Sequence, residues 1–385
     1  MTVTGPLSGI RVLDLTHVLA GPYATGQLAL MGAEVIRIER PGNDDFVRTH
    51  GGTEAMRAKG LGASFLSQNS GKKSVVLDLK SDTGRAAFLD LAATADIVTE
   101  NFRPGVTERL GVDYDTLRTR RENIIYASLT GFGPDGPLAG RPAYDHILQG
   151  MCGLMAMTGT DESGPMRVGM PIADYVAGQV LVSALLAALL ERARHPHTPQ
   201  RLHVSMLEAM TTLMGTYALN HETTGQLRGL DGNRAFSDSP FSGRFDTLDG
   251  QLVITANTPA QATRLCTALA RPDLLDAPAT EAETTLKLLF LEKTAADWED
   301  VLAEANVPAA RILTLSEAMA HPQLADSPAW RPMTQPEIGK TLRAPALPFR
   351  AAWAPRQLAP APTCGRDTAA ILDRLTSQEA PNETA

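Results

Sequence analysis

One carboxylate of this chain, that of Asp174, has the setting of a nucleophile. It lies in the segment GMPIADYVAG, directly before the run Gln179–Arg192, which reads as a helix. The free backbone N–H groups and the dipole at a helix start favour an anion, so we expect Asp174 to stay ionised and usable for covalent catalysis. A helix N-cap is the commonest role of an Asp in this position, and that alternative stays open.

The helix that follows Asp174 is predicted to lie inside the protein. From Val180 to Leu190 every residue except Ser183 is apolar, so no face of the helix suits water. Eleven such residues are too few to cross a bilayer, which takes about 18 to 20. The pattern therefore predicts a core helix with a polar start.

Composition describes a soluble globular protein with no membrane or nucleic-acid partner. The chain has 385 residues, which is long enough for two domains, and it is 43% hydrophobic and 20% charged. Its net charge is −8, whereas a nucleic-acid binder would carry an excess of basic residues. The first residues, MTVTGPLS, carry no export signal, and Cys152, Cys266 and Cys364 form no CxxC pair. We expect a cytoplasmic protein and, without an HExxH or a His/Cys cluster, no metal.

Strands alternate with helices in the first third of the chain, which predicts a parallel sheet covered by helices on both faces. The predicted strands are 9–15, 34–39, 74–79, 96–100 and 123–128, with helices at 22–31 and 83–94. Parallel sheets bind ligands beyond the carboxyl ends of their strands. The segments expected at the site therefore follow those strands: 17–22, Arg40, Lys80, 101–102 and 130–131.

The rest of the chain predicts a smaller α+β domain and a returning segment. Loops and a hairpin are expected over 229–250, then a strand at 251–255 and helices near 259–270 and 294–305. From Leu342 the chain is rich in Pro and Ala, which is typical of an extended segment, and 367–376 can form a last helix. We therefore divide the chain into a large Rossmann-like domain (1–225), a small α+β domain (226–330) and a return segment that packs on the large domain (331–385).

The turn after the first strand excludes the most familiar ligand of such a sheet. A dinucleotide-binding enzyme would show GxGxxG there, whereas this chain has HVLAG, from His17 to Gly21. The second strand ends in Glu39 and Arg40, and an Arg suits a phosphorylated ribose.

Several segments, taken together, resemble the family III coenzyme A transferases. They are LSGIRVLDLTHVLAGPYAT, LGASFLSQNSGKKSVVLDLK, ADIVTENFRPGVTERLGVDYDTL, PAYDHILQGMCGLMAMTG, PIADYVAG and RLHVSMLEAM, with weaker agreement in GRFDTLDGQLVI, NVPAARILTLSEAM and GRDTAAIL. The resemblance covers nearly the whole chain in matching order. It implies an interlocked homodimer, a catalytic aspartate at Asp174 that forms an aspartyl-CoA thioester, and an acyl-CoA and a free carboxylic acid as substrates, with no tightly bound cofactor.

The same resemblance implies a set of coenzyme A contacts. They are His17, Val18, Leu19, Ala20, Arg40, Leu77, Lys80, Asn101, Phe102, Arg109, Tyr144 and Asp145. In the family a glycine-rich loop of the small domain covers the site, but the corresponding segment here, 229–240, has no glycine run. Its role as a lid therefore stays open.

Tyr144 separates the transferase reading from its main alternative, a 2-methylacyl-CoA racemase. The racemase branch carries a His at this position as a second acid/base, whereas a phenol is a poor proton carrier near pH 7. A non-catalytic acyl-CoA-binding subunit would not need Asp174. The acid pair stays open, with Arg48, Arg57, Arg141 and Arg167 as candidates for the second carboxylate of a dicarboxylic substrate.

Overall fold

The computed structural model describes residues 5–42, 45–234 and 237–378, which form two compact units. Unit 1 comprises the described residues within Met1–Met155, Arg167–Leu227 and Ser327–Ala385, and unit 2 those within Ala156–Met166 and Arg228–Asp326. The ends of the predicted large domain and return segment, 1–4 and 379–385, lie outside the described residues, as do Ala235 and Phe236 of the segment 229–240. The segment Ala156–Met166, expected in the large domain, belongs to unit 2.

The described residues contain thirteen strands and fifteen α-helices. The strands are β1 (Arg11–Asp14), β2 (Glu34–Glu39), β3 (Lys73–Val76), β4 (Ile97–Glu100), β5 (Ile125–Thr130), β6 (Gly159–Thr160), β7 (Gly164–Pro165), β8 (Gln200–Ser205), β9 (Gly243–Asp246), β10 (Gln251–Ile254), β11 (Ala309–Arg311), β12 (Trp330–Gln335) and β13 (Lys340–Pro345). The helices are α1 (Ala20–Leu30), α2 (Glu54–Ala58), α3 (Ala63–Asn69), α4 (Asp82–Ala93), α5 (Val106–Leu110), α6 (Tyr114–Arg120), α7 (Asp145–Met151), α8 (Ile172–Arg194), α9 (Met206–Leu213), α10 (Gly215–Thr224), α11 (Pro259–Ala268), α12 (Ala279–Phe290), α13 (Ala295–Glu304), α14 (Leu315–Ala320) and α15 (Thr368–Gln378).

The sheet of unit 1 has the strand order β3-β2-β1-β4-β5-β8, and every neighbouring pair is parallel. This confirms the predicted α/β class. The chain builds outward from β1 to β3 and then returns to place β4 on the other side of β1. Because the direction of growth reverses there, the loops after β1 and β4 separate from the sheet at a switch point, the usual ligand site of such a sheet.

Successive residues of the central strands face two different cores, as the alternation of side chains along a strand requires. On one face Val12 packs with α1, α7, α8 and α9. On the other face Leu13 packs with residues of α4, α6 and α15, including Phe88 and Ile371. Both faces of the sheet are therefore covered.

Helix α8 is longer and less buried than its sequence predicts. It has 23 residues, and an 18-residue stretch within it has a mean hydropathy of 1.8. By length and composition alone the helix could cross a membrane, so the prediction that its apolar run is too short was wrong. One side, including Ala177, Leu181 and Leu185, is fully buried in the core of unit 1. The other side is open: Val180 is 40% exposed and Leu190 56%. The expectation of a fully buried helix therefore fails on that side.

A glycine lets α8 approach α1 closely. A Cβ atom on Gly178 would lie 2.6 Å from the carbonyl oxygen of Ala20 and 2.8 Å from the ring of Tyr23. The first turns of α1 and α8 can therefore meet, and α1 begins directly after the loop that carries His17.

The return segment contains a hairpin that the sequence analysis missed. Strands β12 and β13 pair antiparallel, with Trp330 opposite Pro345 and Gln335 opposite Lys340. Residues from Leu342 to Pro345 are thus part of a strand, and the expectation of an extended segment from 342 was wrong for them. Met333, Ala344 and Leu358 pack with Phe65 of α3 in a smaller core, separate from the two that cover the sheet.

Unit 2 is a small α+β unit, as predicted. Its sheet has the order β11-β10-β9, and β9 and β10 form the expected antiparallel hairpin. Helices α11, α12 and α13 supply Leu265, Phe290 and Trp298 to its core. Strands β6 and β7 pair with each other, and the Gly232 N–H donates to the Gly159 carbonyl.

Candidate active site

The switch point of the sheet is closed by hydrogen bonds between two loops. The backbone N–H of His17, after β1, donates to Asn101 Oδ1 at 2.8 Å, and Asn101 Nδ2 donates to the His17 carbonyl at 2.9 Å. The rings of His17 and Phe102 lie 5.4 Å apart. Two of the predicted segments are therefore held together by their own polar groups.

The residue after His17 has a strained backbone. Val18 has φ +68°, a left-handed conformation that a β-branched residue rarely adopts. Its N–H donates to Asp45 Oδ2 at 3.3 Å, and that oxygen also accepts from Arg37 Nη2 at 2.5 Å. Strain of this kind persists only where the surroundings enforce it, and it clusters at functional sites.

A network of buried charges supports these loops from below. Asp14 at the end of β1 accepts from Lys72 Nζ at 3.0 Å; burial would raise the pKa of Asp14, but Lys72 and Arg37 lower it to about 2. Arg48 donates to both carboxylate oxygens of Glu39, at 2.5 and 2.8 Å. Arg48, a candidate for substrate binding, is therefore a structural ion pair, and that hypothesis was wrong for it.

A cavity of about 880 Å³ opens beside the ends of β1, β2 and β3. The predicted contacts that line it are His17, Arg40, Leu77, Lys80, Phe102 and Arg109. Arg40, Lys80 and Arg109 are exposed cations, whereas Leu77 and Phe102 offer apolar surface. This combination suits a ligand with phosphate groups and a ring.

A second cavity, of about 220 Å³, contains Asp174. The predicted residues that line it are His17, Val18, Ala20, Asn101, Phe102, Tyr144 and Asp174. His17 and Phe102 line both cavities, so the two adjoin. Of the predicted site residues, Leu19 and Asp145 line neither of these two cavities.

Asp174 is the third residue of α8, and its side chain is half-buried. Burial and the neighbouring Asp145 carboxylate raise the pKa of Asp174 to about 7. The expectation that the helix start keeps Asp174 ionised was therefore wrong, because burial and a like charge both disfavour the carboxylate. The N-cap of α8 is Pro171, so Asp174 is not the cap either.

Asp145 occupies the helix start instead. Its Oδ1 accepts from the backbone N–H of Ala173 at 2.7 Å, and its Oδ2 accepts from Gln149 Nε2 at 2.7 Å. Gln149 is fully buried and was missed by sequence reasoning. The only sequence signal for it is an amide four residues after Asp145, on the same face of a short helix.

The surroundings of His17 favour the neutral form of its ring. Burial, together with the nearby Arg37, lowers the pKa of His17 below its usual range. It can therefore offer an uncharged ring to a ligand between the two cavities.

Three other arginines were candidates for a second substrate carboxylate. Arg141 lines the cavity of Asp174, as does Arg103, which sequence reasoning missed. Arg57 donates to the Gly52 carbonyl, and Arg167 to the carbonyls of Val168 and Gly169. Of the four candidates, the structure therefore brings Arg141 to the cavity of Asp174.

Tyr144 stands at the rim of the same cavity, 62% exposed. The ring of His146 stacks on it at 6.4 Å, but His146 does not line this cavity. In the described ranges no group of three or more His, Cys, Asp or Glu side chains is arranged to hold a metal ion.

Comparison with known proteins gives one consistent result. A family model described as CoA-transferase family III matches residues 7–368. The acetyl-CoA:oxalate CoA-transferase of Acetobacter aceti is 36% identical, over 83% of this chain and 84% of its own. The succinate–glutarate CoA-transferase of Agrobacterium fabrum is 33% identical, over 97% and 96%. The crystal structure of a CAIB/BAIF family protein from Brucella suis superposes with a TM-score of 0.85 at 29% identity, covering 97% of this chain and 100% of that one.

Proposed function

Because the chain belongs to CoA-transferase family III and moves coenzyme A between carboxylic acids, we propose that it does so through an aspartyl-CoA thioester on Asp174. The observation that carries this proposal is the half-buried carboxylate of Asp174 in a cavity that adjoins the larger, cation-lined one. The mechanism needs one protein nucleophile, and no step uses a metal ion.

The first half-reaction loads coenzyme A onto the enzyme. A carboxylate oxygen of Asp174 attacks the thioester carbonyl of the acyl-CoA, and the C–S bond breaks to release the CoA thiolate. The product is a mixed anhydride of Asp174 and the donor acid. The thiolate then attacks the aspartyl carbonyl and expels the donor carboxylate, which leaves an aspartyl-CoA thioester. Backbone N–H groups at the start of α8 are the donors that we propose for the oxyanions.

The second half-reaction is the same sequence in reverse. The carboxylate of the acceptor attacks the aspartyl thioester, expels the thiolate and forms a new anhydride. The thiolate attacks the acceptor carbonyl, and the Asp174 carboxylate leaves. No net proton is consumed. A carboxyl with a pKa of about 7 is a stronger base than an ordinary Asp, and stronger bases are better nucleophiles.

Coenzyme A would lie across both cavities. Arg40, Lys80 and Arg109 would contact its phosphates, and Leu77 and Phe102 its apolar parts. The pantetheine arm would then pass His17 and Phe102, which line both cavities, to bring the thioester to Asp174. Coenzyme A is here a substrate.

Trapping the intermediate tests this mechanism. Incubation with acyl-CoA but no acceptor should leave coenzyme A on Asp174, visible by mass spectrometry of the peptide and released by hydroxylamine. Asp174→Ala should lose several orders of magnitude in turnover while still binding coenzyme A, because only the covalent step is removed. Turnover like that of the wild type in this variant would refute the mechanism. Incorporation of α-deuterium from D₂O at the turnover rate would instead support the racemase.

We further propose that the acceptor or donor is a dicarboxylic acid. The named relatives act on oxalate, succinate and glutarate, and Arg141 and Arg103 line the cavity of Asp174 as exposed cations. A panel of diacids against monoacids of equal length, with product thioesters identified by mass, tests the class. Arg141→Met should raise the KM for a diacid about tenfold or more and change that for a monoacid little. Equal effects on both would contradict this role.

The working enzyme is proposed to be a cytoplasmic homodimer. Apolar side chains on α8, α9 and α10 are exposed in the single chain: Val180, Leu190, Leu213 and Leu219. Large apolar side chains left exposed in a single chain are typical of an interface between subunits.

A further inference from the structure

Two side chains one turn apart on α7 hold the segment that leads into Asp174. We name Asp145 and Gln149 the α7 clamp. Asp145 accepts from the Ala173 N–H at 2.7 Å, and Gln149 Oε1 accepts from the Val168 N–H at 2.8 Å. Gln149 Nε2 donates to Asp145 Oδ2 at 2.7 Å and lies 3.4 Å from the Met170 carbonyl.

The clamp supplies what the held segment lacks. Residues 166–171 form neither helix nor strand, and the N-cap of α8, Pro171, provides no side-chain hydrogen bond. The first N–H groups of a helix need an acceptor, and here a carboxylate from a different helix supplies one. Gln149 is fully buried, so each of its bonds is made away from competing water.

We propose that Asp145 and Gln149 are positioning residues of the transfer reaction, which fix the first turn of α8 so that the Asp174 carboxylate faces the thioester. The proposal rests on Asp174 being the nucleophile. It gives Asp145 a different role from contact with coenzyme A, because both of its carboxylate oxygens are occupied within the protein. Nucleophilic attack needs the reacting atoms within about 3.5 Å, and a misplacement of about 1 Å can cost about 100-fold in rate.

The clamp also sets the charge next to Asp174. Asp145 is the nearby group that, with burial, raises the pKa of Asp174. The other titratable or charged residues around the Asp174 cavity are His17 after β1, Arg103 after β4, Arg141 and Tyr144 before α7, Tyr23 on α1 and Tyr175 on α8. Since Asp174 must be ionised to attack, removing the Asp145 charge should extend activity to lower pH.

Two clamp variants separate positioning from charge. Gln149→Met removes the hydrogen bonds at nearly constant size and charge, whereas Asp145→Asn removes the charge and breaks one bond. Both should lower kcat about 10- to 100-fold with the KM for acyl-CoA changed less than about threefold. The acid limb of the kcat profile should move to lower pH in Asp145→Asn and stay in place in Gln149→Met. Asp115→Asn, which removes an exposed carboxylate from α6, is the matched control and should behave as the wild type.

The outcomes are distinguishable from a failure of the proposed mechanism. If Asp174→Ala still transfers coenzyme A, the nucleophile assignment fails. If that variant is inactive but the clamp variants, folded by circular dichroism, keep the wild-type kcat and pH profile, the positioning role alone is overturned. Should one clamp variant not fold, the other still decides, because each breaks the bond between Asp145 and Gln149 by changing a different one of the two residues.

Discussion

The folded protein disfavours the charged form of the Asp174 carboxyl group. It is half-buried beside Asp145, and the helix N–H that could have stabilised its charge, that of Ala173, already binds Asp145. The folded state therefore raises the pKa of Asp174 to about 7. The free energy stored in this way makes the carboxylate reactive and costs stability.

This conflict predicts a stability effect that depends on pH. The ordinary pKa of Asp is 3.8, so between pH 4 and 7 the folded protein retains a proton that the unfolded chain loses, and stability falls as pH rises through about 7. Asp174→Asn removes that loss. At pH 8 the free energy of unfolding of this variant should exceed that of the wild type by on the order of a few kcal/mol. At pH 4 the two proteins should be equally stable.

Urea titrations at the two pH values measure the difference, with Asp115→Asn as the control for removal of one carboxylate. A stabilisation of the same size at pH 4 and pH 8 would show that ionisation of Asp174 is not its cause.

The sequence pointed to the proposed nucleophile but not to its surroundings. Asp174 stands out because it precedes an apolar run, and His17, Asn101 and Phe102 because they follow strands. The partners of Asp174 are distant in sequence: Asp145 lies 29 residues away (174 − 145). Nothing local distinguishes the buried Arg48 from Arg141 at the cavity, since their different positions depend on tertiary packing.

At the scale of elements, the close contact of α1 and α8 joins the loop of His17 to the turn of Asp174. Gly178 is in the interior of a helix, where Ala is ordinarily more stable by about 1 kcal/mol. Here an added Cβ would lie 2.6 Å from the Ala20 carbonyl oxygen, which belongs to the backbone and cannot rotate away. Gly178→Ala should therefore destabilise the protein by about 1 to 3 kcal/mol and lower kcat.

A glycine in a different setting provides the control. A Cβ on Gly215, the first residue of α10, would meet nothing within 4 Å. Gly215→Ala should leave stability unchanged or raise it slightly. Thermal unfolding of both variants decides the matter: a Gly178→Ala protein as stable as Gly215→Ala would contradict the packing argument.

Which elements could be predicted follows from how each is buried. Strands β1, β2 and β4 are covered on both faces, so they are short apolar runs with turn residues at each end. Strands β12 and β13 contain Pro332 and Pro345, and proline within a run argues against a strand. Apart from one bridge between Met333 and Leu358, the strands of this hairpin pair with each other only, and in that bridge Pro332 contributes its carbonyl and needs no N–H.

At the scale of the whole molecule, the exposed apolar side chains of unit 1 favour association with a second subunit. Leu213 is 65% exposed and Leu219 68%, on consecutive helices. Leu213→Asp with Leu219→Asp should convert the expected dimer to a monomer at micromolar concentration, because burying two carboxylates in an apolar contact is unfavourable.

Light scattering measures the mass, and Leu288→Asp, at a 64% exposed position of unit 2, is the control that should remain dimeric. A wild-type protein that is monomeric under the same conditions would contradict the proposal.

The hydrogen bonds between His17 and Asn101 make the switch point observable in solution. The His17 amide is bonded by a side chain rather than by a neighbouring strand, so its hydrogen exchanges with solvent only when the two loops separate. Its exchange rate in deuterated buffer therefore measures how often the proposed coenzyme A pocket opens. Slower exchange in the presence of ligand would register the filling of that pocket from a single peptide group, without any change in the chemistry.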